Sequence, residues 1–493
     1  MKTNVFARQA PALLLGLTVL VLGSLATAAD WPRFHGADGN GVSADKQPLP
    51  ATWSETENLK WKAKLPGPGS SSPIVIGKRV VVTCWSGYGA DPAREGEESD
   101  LRRHVVCFDR DTGKLLWDSL VKPVLPEDPY QGQFTQHGYA SHTPVSDGKR
   151  IYVFFGKTGA LAFSLDGEKL WQTGLGTGSG PHGWGTASSP VLYKDLVIVP
   201  AAAESGSLVA LNCETGKEVW RYKDPGFSSV WGTPVLVDCG QGRTDLAVAV
   251  PGKVWGLDPE TGKLRWHSEG LASDSICTSA IAGDGVVYVL ETGPRGGGNI
   301  AVKAGGEGDV SKTNILWRST QRSRIATPVL EGKRIYFVNG RVANCLNAAS
   351  GETVYRASLT GGAVPAEAAP GGPRAGGPGP GGPGQNGPGQ NGPGPGGFRS
   401  KGKRSGGGGG RGGMGGQEYS SPVLADGKIY YLSRSGDGFV YAAGADFKLL
   451  AQNHFAAGSG DFSATPAVSD GQLFIRSSKF LYCVAKAETA KAE

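Results

Sequence analysis

The chain carries seven cysteines in 493 residues and no Cys-x-x-Cys. An odd count leaves at least one thiol unpaired within the chain, and a chain of this size needs no disulfide framework to hold a core. It also lacks an apolar run long enough for a bilayer span. The stretch Leu13 to Leu25 is too short to cross. With Lys2 and Arg8 ahead of it and Ala26-Thr27-Ala28 behind, it reads as a secretory signal over residues 1–28. No cysteine follows the cleavage point, so no lipid anchor is expected there, and the mature protein is expected to begin near Ala29 as an exported, periplasmic or extracellular protein. A large charge of one sign is missing from the body as well. The formal charge is +6, but the signal holds two bases and the segment 358–417 holds six bases and one acid, which leaves the remainder close to neutral. The whole-chain charge therefore gives no ground for a nucleic-acid or membrane-surface partner. Gly-x-Ser-x-Gly, His-Glu-x-x-His and a helix-borne dinucleotide fingerprint are all absent, which argues against a hydrolase or a nicotinamide enzyme.

What the chain has instead is repetition. Ser/Thr-Pro followed by apolar residues stands at Pro73, Pro144, Pro190, Pro234, Pro328, Pro422 and Pro466, with Ser279-Ala280 filling one gap. Most successive spacings lie between 44 and 48 residues, and the two long ones contain insertions. Each unit continues with a β-branched run, a Gly turn, a third apolar run, then Asp/Asn-x-x-Thr-Gly-Lys and a short run ending on an aromatic. That is four short strands and no helical period. In the last turn, Asp caps its own backbone and Gly accepts positive φ.

Eight such units predict an all-β, eight-bladed β-propeller of four-stranded blades over 59–487. Trp117, Trp171, Trp220, Trp266, Trp317 and Tyr355 end six units, with Leu450 taken as the replacement in the seventh. A blade cannot bury both faces alone, so a flat aromatic on each outer strand is expected to wedge against the next blade. The eighth unit stops after three strands. Its fourth is expected at the other end of the chain, in Leu59–Leu65 around Trp61, closing the ring. Residues 29–58 precede that strand as an N-terminal extension, and 488–493 form a tail. Cys84 and Cys107 fall on neighbouring strands of one blade, where a bond could form.

The eleven-residue phrase small-x-Asp/Asn-x-x-Thr-Gly-Lys-x-x-Trp, matched at Cys107–Trp117, Ala210–Trp220, Gly256–Trp266 and, degraded, Cys345–Tyr355, resembles the tryptophan-docking motif of the PQQ-like repeat propellers. These form the quinoprotein alcohol dehydrogenase-like superfamily. "DWPRFHGADGNG" (residues 30–41) is similar to the opening common there. The resemblance implies the fold and leaves two functions open. The enzymes of the superfamily bind pyrroloquinoline quinone (PQQ) and Ca²⁺ and oxidise alcohols or sugars, many with adjacent cysteines beside the quinone. This chain has no Cys-Cys, and no calcium-binding set or catalytic Asp maps onto it by motif. The non-enzymatic branch includes the propeller scaffold of the outer-membrane β-barrel assembly machine, which binds proteins and carries no cofactor.

In a propeller, loops leading into the innermost strands share one face with loops joining second and third strands. The first set holds His137, Tyr139, His142, His182, Trp184, Trp231, Asp274, Arg324, Tyr419 and Asp461. The second holds Lys157, Lys253, Arg295, Arg341, Arg434 and Lys479, one base in each of six blades. Such a ring suits an acidic ligand, though Gly-Lys and Gly-Arg are also ordinary solvated turns. The three histidines could hold a metal, but no carboxylate is placed with them, and they read instead as hydrogen-bonding residues. Residues 360–417 are almost devoid of apolar side chains and read as a disordered Gly/Pro-rich spacer within the propeller. The expectation is a monomeric binding or scaffold protein of the envelope, with an envelope protein or acidic small molecule on the loop face and no cofactor. The alternative is a PQQ- and calcium-dependent dehydrogenase.

Overall fold

The computed structural model describes residues 30–91, 93–94, 96–293, 296–321, 323, 325–364 and 418–487. The signal, nearly all of the Gly/Pro-rich segment, the 488–493 tail, Arg295 and Arg324 lie outside the described residues.

Eight antiparallel sheets form the blades of a propeller. In chain order they occupy 74–121, 145–173, 191–223, 235–269, 281–319, 329–358, 423–454 and 467–485; they are numbered one to eight below. Blade eight takes its outer strand from Leu59–Lys64, which pairs antiparallel with Phe480–Ala485 and sets Trp61 opposite Cys483. The ring is thus closed by the N-terminal strand. Among the described residues the one α-helix is the single turn Ala202–Ser205.

The Ser/Thr-Pro phrase makes the inner contact between blades. The residue before each proline gives its backbone N–H to the hydroxyl of its counterpart one blade on. Ser72 donates to Thr143 (2.9 Å), Thr143 to Ser189 (3.0 Å), Ser189 to Thr233 (3.0 Å) and Thr233 to Ser279 (2.9 Å). Ser279 then donates to Thr327 (3.3 Å), Thr327 to Ser421 (2.9 Å), Ser421 to Thr465 (3.0 Å) and Thr465 back to Ser72 (3.1 Å). The belt is closed, and every member is buried. Blade five, where Ala280 replaces proline, keeps the hydroxyl. A hydroxyl accepts and donates at once, so it can serve a neighbouring N–H in a place where no sheet ladder reaches.

The aromatics make the outer contact. Trp61, Trp117, Trp171, Trp220 and Trp317 each donate Nε1–H to a carbonyl in the last turn of the next blade, at 2.9, 3.0, 3.0, 3.1 and 2.8 Å. Each ring lies on that turn's glycine. A Cβ on Gly113, for example, would fall 2.6 Å from the Trp61 ring, and its φ of +70° suits only glycine without strain. Trp266 departs from the pattern. It lies over its own Gly256 and donates to Asp245 at 2.8 Å. Blade four's outer strand is instead covered by a fifth, parallel strand, Gly308–Asp309. Blade seven also corrects the sequence reading. Its register sets Ala451 opposite Val440, the place the aromatics hold elsewhere, while Leu450 is exposed. Cys84 and Cys107 do not bond. Cys84 stands opposite His104 and Cys107 opposite Val81, an odd offset that sends the two thiols to opposite faces of blade one.

Residues 30–49 run across the lower face, bonding successive blades. Trp31 pairs with Val75 of blade one and Pro32 with Ser146 of blade two. Asn40 exchanges two bonds with Ala282 of blade five, Gly41 accepts from Leu424 of blade seven, and Asp45 accepts from Gly471 of blade eight. The segment then becomes blade eight's outer strand, so the extension and the ring closure are one continuous device.

The belt gives a direct expectation. Thr233→Val keeps the shape of the side chain and leaves the buried Ser189 N–H unpaired, at a cost of about 1–3 kcal/mol. Thr233→Ser restores the acceptor. Denaturant unfolding should rank wild type and the serine variant together, with the valine variant below both.

Candidate functional site

The upper face, which carries the loops into the first strands and those joining second to third strands, holds the candidate residues. The structure brings three of them together. His182 stacks on Trp184 with ring centroids 4.7 Å apart, and Trp184 lies 5.1 Å from Trp231. Trp231 donates Nε1–H to the Gly185 carbonyl at 2.9 Å, tying blade four's loop to blade three's. His182 is exposed and both tryptophans are half-buried, so the trio presents ring surface to solvent. His137 supports it from behind: its Nε2 sits 2.7 Å from the Trp184 carbonyl and its Nδ1 2.7 Å from Ser141. His142 stands apart, buried with neither ring nitrogen partnered and its ring 4.7 Å from Phe154. Burial holds its pKa well below the usual imidazole value. Tyr139 belongs to an aromatic nest with Trp85, Tyr130 and Phe134 and is buried. Asp274 is exposed.

The basic residues are engaged within the protein. Lys157 pairs with Asp128 (2.8 Å), Lys253 with Glu269 (3.4 Å) and Arg341 with Asp437 (2.8 Å). Arg434 pairs with Asp461, lies over the Tyr419 ring and donates to Gln136 at 2.7 Å. Lys479 donates to the Gly458 carbonyl at 3.2 Å. The Gln136 contact carries the blade one-to-two connection across to blade seven. The described bases therefore form no ring of free charge. Among the described residues no three His, Cys, Asp or Glu side chains gather to hold a metal ion.

Sequence reasoning missed the densest part of this face. Arg103, 2% exposed, donates to Glu127 at 2.7 Å and to Thr158 at 2.9 Å. Beside that pair lies Lys157–Asp128, and then Glu204, which is 6% exposed and has no partner for Oε2. Two cations thus meet three carboxyls. Burial, together with Asp128 and Glu127, pushes the Glu204 pKa up to about 8. The one signal for it was an acid inside "AAAESG" (Ala201–Gly206), between two apolar strands.

A family model described as outer membrane protein assembly factor BamB matches residues 101–364, more than half of the 493-residue chain. The chain belongs to this family. Its eight blades are PQQ-like repeats. A curated relative, polyvinylalcohol dehydrogenase of Sphingopyxis sp. (strain 113P3), is 22% identical over 293 residues, which is 51% of this chain and 41% of the relative. The chain thus spans less than half of that relative's length. BamB from Moraxella catarrhalis superposes with a TM-score of 0.51 at 10% identity, over 86% of this chain and 98% of that one. Quinohemoprotein alcohol dehydrogenase from Comamonas testosteroni gives 0.55 at 11% identity, over 94% and 82%. At such identities the likeness is one of fold. On the lower face, a cavity of about 670 Å³ lies between the N-terminal segment and blades four and five, lined among others by Arg33, Asp38, Asp238 and Lys303. It lies apart from the upper-face loops.

Glu204 fixes a pH dependence. Its carboxyl ionises near the ordinary value of 4.5 when unfolded and at about 8 when folded. Folding thus favours the protonated form, and stability is lost as pH rises from 4.5 towards 8. Glu204→Gln, neutral at every pH, should match wild type near pH 4 and exceed it at pH 8 by on the order of 4 kcal/mol. Unfolding at the two pH values checks this; equal stability at both would contradict it.

Proposed function

We propose that the protein is an exported binding propeller of the cell envelope that engages a partner through the upper face and performs no chemistry of its own. The observation that carries this reading is the pairing of charge there. Of the described bases that could have received an acidic ligand, Lys157, Lys253, Arg341 and Arg434 are paired with carboxylates of the same protein and Lys479 lies on a backbone carbonyl, while His182, Trp184 and Trp231 stay open to solvent. Exposed aromatic surface backed by hydrogen bonds is the kind that anchors a macromolecular partner. The family's description as an assembly factor agrees with a scaffold role. The secretory signal, with no membrane-spanning helix among the described residues, agrees with export.

A second reading, a PQQ- and calcium-dependent dehydrogenase acting on alcohols or sugars, is favoured by the dehydrogenases among the relatives and structural neighbours. The residues present do not fit that cofactor. A tricarboxylate requires several unpaired cations, and of the five described candidates four are paired with carboxylates, which leaves Lys479 on a backbone carbonyl. A calcium ion requires clustered oxygen ligands open to it; among the described residues no group of three able to hold a metal ion is found, and Glu127 and Asp128 beside Glu204 are taken by Arg103 and Lys157.

The two readings separate in one experiment. Purified protein is incubated with PQQ and Ca²⁺, desalted, and examined for quinone absorbance and dye-linked alcohol oxidation. The binding reading expects neither to be retained. Stoichiometric quinone with alcohol oxidation would replace it with the enzyme reading.

A further inference from the structure

The aromatic trio and Glu204 occupy one place on the upper face, and they are joined by two sets of contacts. The first runs through Gly156: the position its Cβ would take lies 3.1 Å from Glu204 Oε1 and 3.4 Å from Thr186 Cγ2. Thr186 follows Trp184 by two residues, and its hydroxyl is buried without a partner. The second runs through Gly180, where a Cβ would lie 3.3 Å from Ala203 and 3.5 Å from the Ser228 carbonyl. Ser229, next along, approaches His182 Nε2 at 3.4 Å. The turn that bears Glu204 is therefore wedged between the loop of His182 and Trp184 and the loop of Trp231.

We propose that this is a binding site for an organic ammonium group, with Trp184, Trp231 and His182 as its aromatic wall and Glu204 as its counter-charge. The inference rests on the upper face being a binding face. Three features specify the ligand. Aromatic faces attract a cation through the ring quadrupole, most strongly at tryptophan. Once Glu204 ionises, the charges around it are short of one cation: Arg103 is matched by Glu127 and Lys157 by Asp128, which leaves Glu204 unmatched. The unpartnered Glu204 Oε2 and Thr186 Oγ1 are buried polar atoms whose isolation costs stability unless a ligand pairs them. A neutral ligand would satisfy the hydrogen bonds and leave the charge count unmatched. An anion would face Glu204, Glu127 and Asp128 together.

Glu204 has to be ionised to match a cation, and in the free protein it holds its proton up to about pH 8. Arg103, Glu127 and Asp128 face it, with Lys157 paired to Asp128 beside them; the two carboxylates oppose that ionisation and Arg103 eases it. Binding of an ammonium group should therefore release a proton and tighten as pH rises from 7 to 9, by about tenfold in all, most of it below pH 8.

The test uses the full chain, with tryptophan fluorescence and calorimetry as readouts. Choline is the probe, 3,3-dimethylbutanol its uncharged isostere, and N-acetyl-lysine amide the arm that separates a small methylated ammonium from a lysine side chain of a protein partner. An ammonium probe should bind at least about tenfold more tightly than its uncharged counterpart and should tighten with pH. Choline ahead of the lysine amide assigns a small ligand; the reverse assigns a protein side chain. Glu204→Gln should weaken binding by about tenfold or more and remove the pH dependence, and Trp184→Leu should weaken it while leaving the pH dependence in place. Equal affinity for choline and dimethylbutanol, unchanged binding by Glu204→Gln, or no binding of either ammonium probe at millimolar concentration would overturn the proposal. None of those outcomes bears on quinone retention, which tests the binding reading separately.

Discussion

The fold hangs on one hydrogen bond used eight times: a backbone N–H of one blade given to a Ser or Thr hydroxyl of the next. A blade is a small sheet with two apolar faces and no core of its own. Stacked blades bury those faces, but apolar contact sets no precise angle between neighbours. The hydroxyl belt fixes the inner ends of the sheets, and at five of the eight blades a tryptophan fixes the outer end. Between them the angle per blade is set, and eight such angles close the circle. Closure removes the free edges of blades one and eight that an open stack would expose. The strand around Trp61 completes blade eight and its outer contact to blade one, and the segment before it lies across the lower face, so the first described residues belong to the closure as much as the last.

Residues 30–49 span the lower face, and the binding reading we propose places recognition on the upper one. There the charges are largely consumed within the protein. Lys157, Arg341 and Arg434 hold loops to loops or blades to blades, as Gln136 does when it reaches Arg434. Residues that look like a cationic ring in sequence thus act as fasteners. What is left unfastened is the aromatic trio and one carboxyl. An unpaired buried acid lowers stability at neutral pH, a cost that the ammonium ligand we propose would offset.

The repeat made most of the fold legible. Period, turn chemistry and the displaced outer strand follow from spacing alone, because turns and docking positions tolerate few residue types. Proline served as the marker of each unit, yet the residue that matters is the hydroxyl before it, as Ser279-Ala280 shows by keeping one without the other. Leu450 was misplaced by one residue because a bulge shifts the register at that point in the last hairpin, which no apolar pattern reveals. The site was legible only in part. His182, Trp184 and Trp231 fall on corresponding loops, so topology brings them together. The pairing of the bases could not be read, because their partners, such as Asp128 and Asp437, come from other loops whose course depends on packing. Glu204 was hidden for the same reason: an acid between apolar strands gives no sign of whether a cation meets it.

Amide hydrogen exchange on the full chain tests the closed ring most directly. The eight N–H groups of the belt, from Ser72 round to Thr465, should exchange together and slowly, at the rate of global unfolding, with the Thr465–Ser72 seam as well protected as the rest. Fast exchange at Thr465, whose N–H is the one given to Ser72, with the other seven protected, would mean that the ring opens between blades eight and one and that the N-terminal strand does not hold it shut.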